Sequence, residues 1–223
     1  MNNFSAETLD EHLVDIPLGP ATLYGNLALP LEPTGVVLFA QGSVGGRHGP
    51  RSRYVARQLN EAKLATLLLD LLTPEEEEID LRTRLLQLNI RLLAERIVGA
   101  TDWLAQNPAI NGLRIGYFGT STGAAAAFEA ATMRPDPISA IISRGGRPDL
   151  AGTALTLVRS PTLLIVGGND FETMELNREA FKHLRCEKKL AVVPGATHLF
   201  EEPGALDDVV SWARMWFMRF LPS

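Results

Sequence analysis

The 223-residue chain has one cysteine, four histidines and no long apolar run, and each scarcity excludes something. A single cysteine, Cys186, cannot form an intrachain disulfide, and this usage fits a reducing compartment. It lies in the polar stretch Lys182 to Lys189 and reads as incidental to function. The histidines and the cysteine are scattered without metal-ligand spacing, so no metal site is expected. No apolar stretch reaches the length of a membrane span. The residues from Met1 to Glu11 are polar and lack the apolar core of a signal peptide, so a cytoplasmic protein is expected. Basic clusters are absent too, and the net charge is −5, which argues against a nucleic-acid surface.

What is present describes an ordinary globular protein, with 46% hydrophobic and 21% charged residues. Its length suits one domain spanning residues 1–223. Short apolar runs at Val36 to Ala40, Leu64 to Leu69, Ile138 to Ser143, Pro161 to Val166 and Leu190 to Val193 read as buried strands. Between them lie helical patterns: Arg51 to Ala62, a long one from Arg82 to Gln106, and a closing helix from near Pro203. Leu13 to Ile16 and Thr22 to Leu29 suggest an antiparallel opening pair. The acidic run Glu75 to Glu78 reads as a solvated loop before the long helix. This alternation predicts an α/β fold: a mostly parallel, twisted sheet of about eight strands with helices on both faces. Arg144 to Ser160 is the only long irregular region late in the chain, so no large lid domain fits.

The most informative segment runs from Leu113 to Ala127: a strand, then Gly119-Thr120-Ser121-Thr122-Gly123, then an Ala-rich helix. A serine on so sharp a strand-to-helix turn projects its Oγ above the sheet, provided its neighbours are small. Asp170 follows the Pro161 to Val166 strand, and His198 follows the Leu190 to Val193 strand. The chain order Ser121, Asp170, His198 is that of α/β-hydrolases. The residue types fit the chemistry, because a serine hydroxyl needs a base and the imidazole needs a carboxylate to fix its tautomer. Singly, Ser121 could be a plain helix N-cap, and Asp170 and His198 read equally well as a helix cap and a loop histidine. Together they predict a triad with Ser121 Oγ near the ring and Asp170 on its other nitrogen; Glu172 is the substitute acid.

Two oxyanion donors are expected, the backbone N–H of Thr122 and that of Ser43 in the Gly-rich loop Gln41 to Gly46. Arg144 follows a strand at the same sheet edge. It reads as a carboxylate or phosphate ligand, or as a salt-bridge partner of Asp149 or Glu172. With Gln41 in the loop and Arg47, His48 and Arg51 close behind, Gln41, Arg47 and Arg144 are candidate substrate-binding residues, and an anionic substrate is expected.

The chain resembles the dienelactone hydrolase-like group of the α/β-hydrolases. The resemblance rests on the Gly-rich loop, the elbow, Ser143-Arg144-Gly145-Gly146-Arg147-Pro148-Asp149 and Gly195-Ala196-Thr197-His198-Leu199-Phe200. Similar domains occur fused to phosphoribosyltransferases. Two departures stand out: serine replaces the cysteine nucleophile of true dienelactone hydrolases, and Gln41 replaces a loop histidine. The expected activity is hydrolysis of a small ester or lactone through an acyl-enzyme, without metal or organic cofactor. Acyl transfer or perhydrolysis through the same intermediate is the alternative within enzymes; a catalytically silent ligand-binding or interaction domain is the alternative outside them.

Overall fold

The computed structural model describes residues 9–42 and 46–222. Eight strands form one sheet in the order β1-β2-β4-β3-β5-β6-β7-β8. They are β1 (Asp10–Leu18), β2 (Ala21–Leu29), β3 (Gly35–Gln41), β4 (Leu64–Leu69), β5 (Ile115–Ser121), β6 (Ile138–Gly146), β7 (Thr162–Gly167) and β8 (Lys188–Val193). β1, β2 and β4 pair antiparallel, and every other pairing is parallel. The architecture is the expected one. β3, β4 and β7 are buried along their whole length, as strands covered on both faces must be.

The helices are α1 (Pro50–Glu61), α2 (Pro74–Thr83), α3 (Ile90–Gln106), α4 (Thr122–Met133), α5 (Phe171–His183) and α6 (Ala205–Phe220). α3 and α4 cover one face, burying Leu93, Ile97, Leu104 and Phe128 against Leu38, Tyr117 and Ile141. α1 and α6 cover the other, where Val55, Leu59, Val209 and Phe217 meet Phe39, Phe118 and Ile142. Gly116 in β5 lets α6 come close, because a β-carbon there would sit 2.6 Å from the Phe217 ring.

Three local expectations need correction. Glu75 to Glu78 lie in helix α2 rather than a loop. Thr73 accepts the Glu76 N–H, the Glu76 carboxylate accepts the Thr73 N–H at 2.9 Å, and Pro74 opens the helix. This capping box, with three acids in the first turn, suits a helix N-terminus. Secondly, the long helix begins at Ile90, not at Arg82. Arg84 adopts a left-handed conformation, and the Asp80 carboxylate accepts the N–H groups of Leu86 (2.7 Å) and Gln87 (3.1 Å). These bonds close a turn that the leucine spacing hid, and Leu85 and Leu88 stand in solvent. Thirdly, β6 runs on to Gly146, so Arg144 is a strand residue; Pro148–Thr156 then forms a 3-10 segment.

Phe217 is fully buried against the sheet. Phe217→Ala is expected to lower unfolding free energy by about 3–5 kcal/mol in chemical denaturation. A loss below about 1 kcal/mol would contradict this packing.

Candidate active site

Ser121 ends β5 with φ +51° and ψ −132°, a conformation rare for a residue with a side chain. Strain of this kind costs on the order of 1–3 kcal/mol and persists only where the surroundings enforce it. Here they do so on both sides. The Arg147 N–H donates to the Ser121 carbonyl at 3.0 Å, and Ser121 pairs in register with Gly146. A β-carbon on Gly119 would collide with the Ala124 backbone, its nitrogen lying 2.9 Å away. One on Gly123 would collide with the Ala40 carbonyl and lie 2.8 Å from the Gly42 nitrogen. The start of α4 is thus pressed against the ends of both β3 and β5. Although Ser121 sits at the N-cap position of α4, its hydroxyl makes no capping bond. The plain-cap reading therefore fails, and Oγ is left for other use.

Asp170 and His198 are brought together, with Asp170 Oδ2 2.7 Å from His198 Nδ1. The Asp170 side chain is 11% exposed and the imidazole 49%. Asp170 Oδ1 also accepts the Thr173 N–H at 3.4 Å, so the acid caps α5 as well. The two loops are joined backbone to backbone. Gly168 N–H donates to the Val193 carbonyl at 2.8 Å, and Asn169 N–H to the Ala196 carbonyl at 2.9 Å. The approach is so close that a β-carbon on Gly167 would strike the Ala196 carbonyl. With a proton on Nδ1 directed at the carboxylate, Nε2 carries the free lone pair. The ring edge lies over Gly145, whose β-carbon would be 3.8 Å from His198 Cε1, next to the Gly146 that pairs with Ser121. Among the described residues Ser121 Oγ makes no hydrogen bond to His198; Ser–His contacts in unliganded sites are commonly long and tighten in the complex.

Thr122 opens α4, and its hydroxyl donates to the Gly42 carbonyl at 3.1 Å, tying the end of β3 to the strand-to-helix turn at Ser121. Ser43 lies outside the described residues. Arg47 is engaged elsewhere: its N–H donates to Asp70 at 2.8 Å, and its guanidinium is 3.3 Å from the same carboxylate. Gln41 ends β3, and its buried amide nitrogen has no hydrogen-bond partner among the described residues. Arg144 is 9% exposed and stacks over the Phe200 ring at 5.5 Å. Neither Asp149 nor Glu172 pairs with it among the described residues; Asp149 is held by Arg147 through two bonds of 2.9 and 2.8 Å.

Two contributors were missed in the sequence. Thr173 Oγ1 lies 3.4 Å from His198 Nδ1, beside the Asp170 bond. Asn177, fully buried, donates to the Thr173 carbonyl at 2.8 Å and the Gly146 carbonyl at 3.1 Å, linking α5 to the strand end beside Ser121. Asp170, Thr173 and Asn177 follow the i, i+3, i+7 spacing of one helix face, which was the available signal.

Gly123→Ala is expected to destabilise the protein by about 1–3 kcal/mol, since backbone rather than a mobile side chain must yield. A melting temperature equal to the parent's would show that α4 is not held against β3 as described.

No family model matches the chain. It is 55% identical to a dienelactone hydrolase from Anabaena variabilis of known crystal structure, covering 96% of this chain and 99% of that one, with a TM-score of 0.93. It is 50% identical, over 213 residues, to a Mycobacterium tuberculosis protein described as a candidate phosphoribosyl transferase. That match covers 96% of this chain but 47% of the relative, so the chain spans about half the length of the curated relatives it matches. Est1E from Butyrivibrio proteoclasticus shares the fold at 18% identity, with a TM-score of 0.76 over 93% of this chain and 97% of that one. A likeness of 55% identity along nearly the whole of both chains settles the family: the chain belongs to the dienelactone hydrolase-like α/β-hydrolases.

Proposed function

We propose that this chain acts as a serine hydrolase on a small ester or lactone, with Ser121 as nucleophile, His198 as general base and acid, and Asp170 as the carboxylate that orients the ring. The observation that carries the reading is the strained, uncapped Ser121 at the same sheet edge as the Asp170–His198 pair. A serine that served only to start a helix would relax to an ordinary cap geometry.

In the proposed cycle, Ser121 Oγ attacks the scissile carbonyl as its proton passes to His198 Nε2. The imidazolium formed is stabilised by Asp170 across the 2.7 Å bond. The oxyanion accepts from the Thr122 N–H, at the amide-rich start of α4, and from the Ser43 N–H. Collapse expels the alkoxide, which takes the proton from His198. Water, deprotonated by the same ring, then cleaves the acyl-enzyme and returns Ser121 with a free carboxylic acid. Every step uses the chain's own groups. Beside the end of β3 lies a small cleft, walled in part by Gln41, Gly42, Leu71, Leu72 and Leu93. The relative named as a dienelactone hydrolase supports this chemistry for residues 1–223 acting as one catalytic domain.

With p-nitrophenyl acetate, Ser121→Ala is expected to lower kcat at least about 10⁴-fold, and Asp170→Asn about 10³- to 10⁴-fold. Steady-state kinetics on variants with parental melting curves checks this. Retention of more than about a tenth of kcat by Ser121→Ala would remove Ser121 from the chemistry.

A further inference from the structure

His198 owes its place to its neighbours. Among the described residues its backbone N–H and carbonyl make no hydrogen bond, and its imidazole is 49% exposed, so burial does not fix it either. Asp170 aims the ring through Nδ1, but where the backbone stands is set by the loop on either side. On the far side Phe200 is 2% exposed and held at φ +54°, a conformation unusual for a bulky residue. On the near side the hold is on Thr197, and it comes from Glu202.

Glu202 Oε1 accepts the Thr197 N–H at 3.0 Å and the Thr197 hydroxyl as well. One carboxylate oxygen thus ties both polar hydrogens of the residue that precedes the base. Oε2 is shielded from solvent and makes no hydrogen bond among the described residues, so Oε1 carries the whole contact. The bond from the Thr197 hydroxyl holds the Glu202 carboxyl below the usual carboxylate range, so it is an ionised acceptor wherever a histidine titrates. Bonds to an ionised acceptor are among the stronger ones. Glu202 is itself anchored, because its carbonyl accepts the N–H of Ala205, the first residue of α6, at 3.0 Å. Next to it, Glu201 pairs with Arg51 of α1 at 2.7 Å. The loop that carries the base is therefore referred to two helices packed on the sheet.

We propose that Glu202 is a positioning residue for the hydrolysis: by clamping Thr197 it fixes where His198 stands, and so how closely Nε2 can approach Ser121 Oγ. The proposal deepens the hydrolase reading and rests on it. Glu202 acts through Thr197 and His198, on the proton-transfer geometry. A displacement of roughly 1 Å in such a geometry costs up to about a hundredfold in rate. The cleft beside the end of β3 is walled by other segments, so the clamp bears on kcat and not on KM. A contact that merely closed a surface loop would change stability and leave the kcat of folded protein alone.

The test compares Glu202→Leu, which has no acceptor, with Glu202→Gln, which keeps one, and with Thr197→Val, which loses only the hydroxyl. Steady-state kinetics with p-nitrophenyl acetate are read below the melting transition of each variant. Glu202→Leu should lower kcat about tenfold to a hundredfold with KM within about threefold, and Glu202→Gln should recover kcat to within about threefold of the parent. Thr197→Val should fall between them. The rate at which a fluorophosphonate probe labels Ser121 should follow the same order, which frees the result from the ester chosen. A parental kcat in Glu202→Leu, an equal loss in Glu202→Gln, or a change confined to KM each overturns the proposal. If Glu202→Leu does not fold, Thr197→Val decides, and an unchanged kcat there overturns it. Loss of the positioning role with turnover still dependent on Ser121 leaves the hydrolase reading intact; turnover that survives Ser121→Ala overturns both.

Discussion

The site depends on how closely the start of α4 can approach the ends of β3 and β5. Ser121 is held at a positive φ because the chain must turn from strand to helix within one residue. That turn exists only because Gly119, Gly123 and Ala124 present almost no side-chain volume where the backbones meet. A larger residue at any of them would lift the helix away, letting Ser121 relax into an ordinary cap. The Thr122 hydroxyl on the Gly42 carbonyl ties the end of β3 to the same junction. Packing at one small spot thus sets the backbone conformation of Ser121 and the placement of Thr122 beside it.

The second half of the site follows a different physical rule. Asp170 and His198 sit on loops after β7 and β8, and loops are held by hydrogen bonds rather than by core volume. Paired backbone bonds from Gly168 and Asn169 fix one loop on the other, and Gly167 permits the approach. Thr173 and Asn177 extend that network from α5 to the strand end at Gly146. A rigid sheet edge with hydrogen-bonded loops above it explains how an acid and a base far apart in sequence meet at bonding distance.

Much of this was legible in the residues, for physical reasons that differ by element. The buried strands were readable because continuous apolar runs bounded by turns have few other uses, and the elbow because its glycines flank a serine at a strand end. The α2–α3 region was misread because leucine periodicity crosses a non-helical turn. What breaks the helix there is the Asp80 side chain bonding to Leu86 and Gln87, and hydropathy spacing does not record such bonds. The capping box at Thr73 and Glu76 was written in the sequence but obscured by the acidic run that contains it. For Arg144, the sequence offered both a salt bridge and a free cation. In the structure Arg147 takes Asp149, one of the two acids the sequence offered to Arg144.

The central claim is that Ser121 is an activated nucleophile and not merely the first residue of a helix. Labelling with a fluorophosphonate probe tests it most directly, with the modified peptide read by mass spectrometry. The account predicts stoichiometric covalent modification at Ser121, abolished by denaturation and strongly slowed in His198→Ala protein. A folded protein that takes no label, or takes it at a serine other than Ser121, would contradict it.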